Sequence, residues 1–360
     1  MEKKYWLGLK LVPAIDKRFS KIINFYETAE EVWYAKKESF LKIYGVSSEL
    51  ANEIIKQRES IDLDKNWQRH KKMGIEILTI YDDNYPPLLK EIPNPPNVLF
   101  FKGDLIEKYS EAVAIVGSRR ATAYGVALAE ELALNLSEAG VTIVSGVARG
   151  IDSSAHRGAL KDKGSTIGVL GCGHDVIYPP ENKRLYETIS QQGSLISEYP
   201  IGTRPLKWNF PARNRIISGL SRGVVVVEAS EKSGALITVD FALEQGREVF
   251  AVPGNTKNIL SKGPHKLLKS GACLIETSQD ILEELGLSHL VSSQLQTDRL
   301  AKLNEEEQKI LACLGWEQKY IDEIIRDLDI NPSKTASLLT TLEIKGFIKQ
   351  DIGKKYLRIH

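Results

Sequence analysis

The stretch IGTRPLKWNFPARNRIISGLSR, residues 201–222, carries Arg204, Lys207, Arg213, Arg215 and Arg222 and no aspartate or glutamate. Trp208 and Phe210 are interleaved with these cations. Guanidinium and ammonium groups hold phosphates and aromatic rings stack on exposed bases, so the pattern suits a single nucleic acid strand. A mononucleotide pocket needs only one or two cations. The competing expectation places Trp208 and Phe210 in the core and the arginines at strand ends.

Three further stretches end an apolar run at a glycine, where phosphates commonly dock. In AIVGSRRATAYG, residues 114–125, Gly117 permits a tight turn and Ser118 and Arg119 follow it. A helix starting near Tyr124 would then offer free N–H groups to an anion. In VSGVARGIDSSAH, residues 144–156, Ser145 and Gly146 set a small hydroxyl and a bare backbone at a strand end. Asp152 and Ser153 read as helix caps there, and His156 as structural. In EASEKSGALITVDFALEQGREVFAVPGN, residues 228–255, Ser233 and Gly234 precede a helix bearing Thr238 and Glu244, a further phosphate cradle. Glu228 reads as a structural partner for nearby arginines. The chain contains neither G-x-G-x-x-G nor G-x-x-x-x-G-K-[ST], so nicotinamide chemistry and nucleotide hydrolysis lack their usual signatures. No catalytic residue is assigned, and no cofactor is expected.

These loops need a scaffold. Between 112 and 276 short apolar runs alternate with helical segments: AVAIV, VTIVS, TIGVL, SLISE, VVVVE, EVFAV and ACLIE. Continuous apolar runs separated by crossover-length helices predict a mostly parallel, doubly wound α/β sheet of extended Rossmann-like type, buried on both faces. Ligands in such sheets sit beyond the carboxyl ends of the strands, so the four loops should meet there. Two more strands are expected at Ile75–Ile80 and Val98–Lys102. Residues 1–70 read as a small helical domain, 71–287 as the Rossmann-like domain and 288–303 as a polar linker. Residues 304–360 read as a winged helix-turn-helix: helices Asn304–Cys313, Tyr320–Asp327 and Ser333–Lys345, then a hairpin around Gly353.

Bulk composition narrows the partners. The chain has 360 residues, with 48 Lys and Arg against 47 Asp and Glu, so no global basic field exists and a nucleic acid site must be a local patch. Cys172, Cys273 and Cys313 are isolated, which suggests neither zinc nor disulfides and fits a reducing, cytoplasmic setting. No metal site, signal peptide or membrane span is expected.

Together, VAIVGSRRATAYG, SGVARGIDSSAHRGAL, KWNFPARNRIISGLS, EKSGALITVDFALEQGREVFAVPG and GPHKLLKSGACLI resemble the motifs of the DNA-processing protein A (DprA, or Smf) family, in order and across the whole Rossmann-like region. The upstream YDDNYPPLLKEIPNPPNVLFFKGDL resembles it too. The resemblance implies a protein that binds single-stranded DNA without catalysis, protects incoming strands during natural transformation and loads the RecA recombinase. It implies phosphate contacts at Arg119 and Lys207 and base stacking at Phe210. Asn209, Arg213, Asn214 and Arg215 belong to the same family loop. It also implies a homodimer through the end of the sheet, with His265, Leu268 and Leu274 as candidate contacts.

The N-terminal region resembles a SAM-like or helix-hairpin-helix domain, but Val12-Pro13-Ala14-Ile15-Asp16 lacks the glycines of a DNA-binding hairpin. The third helix of the winged domain, where readout would be expected, offers only Lys334 and Lys345, so that domain is expected to touch either duplex DNA or protein. Two other functions stay open: a nucleotide phosphoribohydrolase-like enzyme, and a winged-helix transcriptional regulator with a Rossmann sensor.

Overall fold

Each of the seven apolar runs forms a strand: β3 Ala112–Val116, β4 Thr142–Ser145, β5 Thr166–Leu170, β6 Ser194–Ser197, β7 Gly223–Val226, β8 Glu248–Ala251 and β9 Cys273–Leu274. They follow β1 Glu76–Thr79 and β2 Val98–Gly103 in one nine-stranded sheet of order β1-β2-β6-β5-β4-β3-β7-β8-β9. The pairs from β6 through β9 are parallel, and β2 and β1 close the far side as antiparallel strands. Every residue of β3 to β7 is buried, the outcome that continuous apolar runs require when helices cover both faces. Chain order runs outward from β3 toward β6 on one side and from β7 toward β9 on the other. The loops after β3 and β7 therefore diverge at a topological switch point, where a crevice opens.

The structure is a computed structural model and describes residues 2–16, 18–103, 111–161, 165–290, 304–314, 319–328, 330–344, 347–351 and 355–358. It comprises two units, Met1–Gly286 and Leu287–His360. Most of the segment read as a linker, 291–303, lies outside the described residues.

The helices before residue 73 do not stand apart from the sheet. Val98 and Phe100 of β2 point into their core, alongside Leu7, Leu9, Ile22 and Ile54, while Leu99 and Phe101 point into the core of the parallel sheet. Period-two alternation thus lets one strand serve two cores. The Pro13–Asp16 segment is a helical turn whose Ala14 N–H donates to Gln57 Oε1 at 3.0 Å. That donor is spent within the fold and is not offered to phosphate.

Two histidines lock this architecture. His156, on the helix Ile151–Ala159, has Nδ1 2.7 Å from Thr166 Oγ1, and His174 has Nε2 2.9 Å from the Phe100 carbonyl. Burial pushes His156 down to about 3 and His174 down to about 4. The unfolded chain protonates both near pH ~6.5. Stability should therefore be full above that pH and fall as pH drops toward 4. The slope is at most about 1.4 kcal/mol per pH unit for each histidine. Urea unfolding near pH ~7 and ~5 checks this; His156→Gln should remove roughly half of the difference, and equal stability at both pH values would contradict it.

In the second unit, helices Glu305–Leu314, Ile321–Leu328 and Pro332–Ile344 enclose Ile310, Leu311, Ile324, Leu339 and Leu342. Asn331 Oδ1 accepts the Ser333 N–H at 2.9 Å, with Pro332 opening the third helix as expected. Strands β11 Ile348–Asp351 and β12 Lys355–Arg358 pair antiparallel as the wing; the expected turn at Gly353 lies outside the described residues, as does Lys345. One correction is local: Lys319–Tyr320 is a strand, β10, pairing with β12, so the second helix starts at Ile321. Two residues ahead of a helix carry too little alternation to announce a strand.

Among the described residues no helix is long and apolar enough to cross a membrane, and no cluster of His, Cys, Asp or Glu is arranged to hold a metal ion.

Candidate nucleic-acid interface

A cleft of about 850 Å³ opens at the switch point. Gly117, Ser118, Arg119 and Arg120 from the loop after β3 form one wall. Ser230, Ser233, Gly234 and Thr238 from the segment after β7 form a second. Lys207, Phe210, Arg213 and Asn214 complete it from the 201–222 segment, whose helix spans Asn209–Gly219. Arg119 and Lys207 are exposed, and Phe210 is half-buried. The Arg119 guanidinium lies 5.6 Å from the centroid of the Phe210 ring, and the Tyr178 ring lies 5.2 Å away on a 37° tilt. Gly171 lets Phe210 lie against bare backbone: a Cβ there would come within 2.8 Å of the ring. Cation, ring and ring make a continuous surface on which a planar base can stack.

Beneath this surface lies a buried arginine. Arg213 is 4% exposed and donates from Nη1 to the carbonyls of Gly146, at 2.9 Å, and Val169. Asp152, 7% exposed, faces it across Gly146. A Cβ on Gly146 would meet Arg213 Nη2 at 2.6 Å and Asp152 Oδ2 at 2.7 Å, so only glycine fits between them. Burial pulls Arg213 down to about 10, which leaves it cationic at neutral pH, and burial raises Asp152 despite the Arg213 charge. The guanidinium thus ties the ends of β4 and β5 together and adds positive potential to the cleft floor.

Several expected contacts have other partners. Ser145 is buried with its hydroxyl donating to the Ile115 carbonyl at 2.7 Å, and Gly146 makes room for Arg213 rather than for a ligand. Asn209 is buried, its Nδ2 donating to Gly171 O at 3.1 Å. Arg215 turns away from the cleft into a bidentate pair with Glu198, at 2.9 and 2.8 Å. Arg222 lies at the opposite end of β7, paired with Glu111. Trp208 is 69% exposed and, with Arg204, lies outside the cleft lining. Within the helix Asn209–Gly219 the cause is rotation: successive residues stand about 100° apart, so Arg213 and Arg215 cannot face one way.

Two local readings are corrected. The helix after the Gly117 loop, Ala123–Glu138, does not leave its N-terminus open to an anion. Thr122 Oγ1 accepts the Gly125 N–H at 3.1 Å, and Glu228 accepts from the Thr122 N–H at 2.8 Å and hydroxyl at 2.6 Å. A carboxylate of the chain already fills the anion position, and Glu228 partners Thr122 instead of an arginine. Asp152 and Ser153 sit inside the first turn of their helix, whose N-cap is Gly150 at φ 70°. Gly150 is required for close approach, since a Cβ would stand 2.2 Å from the Ser118 carbonyl. Arg120 and Thr238 line the cleft with the motifs that carry them, whereas Tyr178 is a lining residue that no motif marked, since its stretch holds no cluster of cations.

At the far edge of the sheet β9 pairs, among the described residues, with β8 alone, and Leu274 is 52% exposed on it. His265 Nε2 lies 3.0 Å from the Gly254 carbonyl, and Leu268 is half-buried.

The family model for DNA recombination-mediator protein A matches residues 76–286, and that for the DprA winged helix domain matches residues 294–354. Protein Smf of Synechocystis sp. is 34% identical over 393 residues, covering 99% of each chain. Among solved structures, DNA processing protein A from Streptococcus pneumoniae superposes with a TM-score of 0.69 at 38% identity, covering 78% of this chain and 97% of that one. DNA processing protein A from Helicobacter pylori, described with a unique single-stranded DNA binding mode, gives 0.53 at 33% identity, over 59% of this chain and 95% of that one. The sheet, the winged helix and the identity along nearly the full length converge: the chain belongs to the DNA recombination-mediator protein A (DprA/Smf) family.

Proposed function

We propose that the cleft binds single-stranded DNA and that the protein acts by binding, without catalysis, to protect incoming strands in the cytoplasm and present them to RecA during natural transformation. One observation carries this reading: Arg119 and Lys207, far apart in sequence, line one cleft together with an accessible Phe210. The cations take consecutive phosphates, and the ring with Tyr178 takes a base. The acids that a hydrolase would use have other work. Asp152 is buried against Arg213, Glu228 holds Thr122, and Glu244 ends its helix outside the cleft lining. The exposed edge at β9 supports a homodimer there, with Leu274 and Leu268 as apolar contacts. In the winged helix Lys334 is paired to Glu306, which favours a protein contact over duplex readout.

The test is salt dependence. Binding to an oligothymidylate should weaken steeply with salt, with a log–log slope of about −0.7 per phosphate contacted. Replacing Arg119 and Lys207 by alanine should make that slope shallower by about 1.4. Salt-insensitive binding, or binding unchanged in the double variant, would overturn the reading. Tighter binding to a duplex than to any single strand would favour the regulator instead.

A further inference from the structure

The helix Leu63–Lys72 places Lys65, Arg69 and Lys72 at i, i+4 and i+7, one above another on a single face, and all three are exposed. The macrodipole accounts for cations in the last turn of a helix but disfavours one in the first, where Lys65 stands. The stripe is joined to the segment that feeds the cleft. Arg69 Nη2 lies 2.7 Å from Asp175 Oδ2, and Asp175 Oδ1 accepts the Gly202 N–H at 2.8 Å. The next residue of that helix, His70, accepts the Ile201 N–H on Nε2 at 3.3 Å. From Gly202 the chain runs through exposed Arg204 to Lys207 at the cleft, five residues that span at most about 18 Å. Trp208, exposed but outside the cleft lining, lies on the same stretch. Asp175, the acid at the junction, is spent on Arg69 and Gly202, and Asp64 is paired to Lys4.

We propose that Lys65 and Lys72, with Arg69 as the joint to the cleft segment and Arg204 and Trp208 as the bridge, form a second, outer track for the phosphate backbone of the same DNA strand where it leaves the cleft. The inference rests on the cleft being a single-strand site. It assigns the N-terminal helices a direct part in binding: they lengthen the footprint, and they do so through a helix face, since the hairpin at Val12–Asp16 has its donor occupied. The charge complements phosphate, and Trp208 offers an exposed ring next to Lys207 in the chain.

The track predicts length-dependent binding. Full-length protein carrying Lys65→Gln and Lys72→Gln should bind an oligothymidylate of about 6 nucleotides, confined to the cleft, within about twofold of the unaltered protein. For a strand of about 20 nucleotides its affinity should fall about tenfold and its salt slope should become shallower by about 1.4. Unaltered affinity and slope on the longer strand would sink the track alone, as would equal losses on both strands. If the unaltered protein fails to bind the short strand, the cleft reading falls and the track falls with it.

Discussion

Arg213→Met should lower the unfolding free energy by about 2–4 kcal/mol, the expected result of leaving two buried carbonyls without their donor. Arg213 is 4% exposed, and its Nη1 holds the carbonyls that end β4 and β5. Removing it takes the guanidinium from beside the buried Asp152 and leaves two carbonyls without their donor. The methionine fills the space of the aliphatic stem, so the loss reports charge and hydrogen bonding more than a void. Urea unfolding of both proteins measures it. A difference below about 1 kcal/mol would mean that Arg213 is not a structural clasp. DNA binding should fall in the same variant, because the clasp positions Phe210 three residues earlier on its helix. Asp152→Asn together with Arg213→Met should recover part of the stability, since the orphaned carboxylate is then gone.

Phe210→Ala should weaken single-strand binding by about 1–3 kcal/mol, the range for one lost base stack. The ring stands between the Arg119 guanidinium and Tyr178, half-buried on Gly171. Stacking carries no net charge, so the salt slope should stay at its original value while the affinity drops at every salt concentration. That separates Phe210 from Arg119 and Lys207, whose removal changes the slope itself. Phe210→Leu refills most of the space against Gly171 and should preserve stability without restoring affinity. Full affinity in Phe210→Leu would show that the ring acts only as a spacer. Fluorescence anisotropy of a labelled oligothymidylate across a salt series reads both quantities.

How far the sequence anticipated this depended on whether a signal was local or distant. The seven apolar runs identified the sheet because burial on both faces leaves no alternative residue choice for a central strand. Asn331-Pro332 marked the start of a helix because a cap acts on its own neighbours. The convergence of Gly117–Arg119, Lys207–Asn214 and Ser233–Gly234 on one cleft followed from topology, since ligands in such sheets gather at the switch point. Within that cleft the roles of single residues were harder to read. Arg213 and Arg215 are two positions apart with the same chemistry, yet one is the buried floor and the other is paired to Glu198 on a different face.

The sequence by itself determined the class of fold and the family and pointed to a nucleic acid strand as the proposed partner, because apolar periodicity, glycine placement and a run of cations among rings are properties of neighbouring residues. Tertiary structure alone decided which cations remain free. Glu228 occupies the helix N-terminus that looked open, Glu198 and Glu111 neutralise Arg215 and Arg222, and Asp175 ties Arg69 to the segment that feeds the cleft. Each of these acids lies many residues from its partner, and a charge pairs with whatever the fold brings within about 4 Å, which no linear spacing encodes.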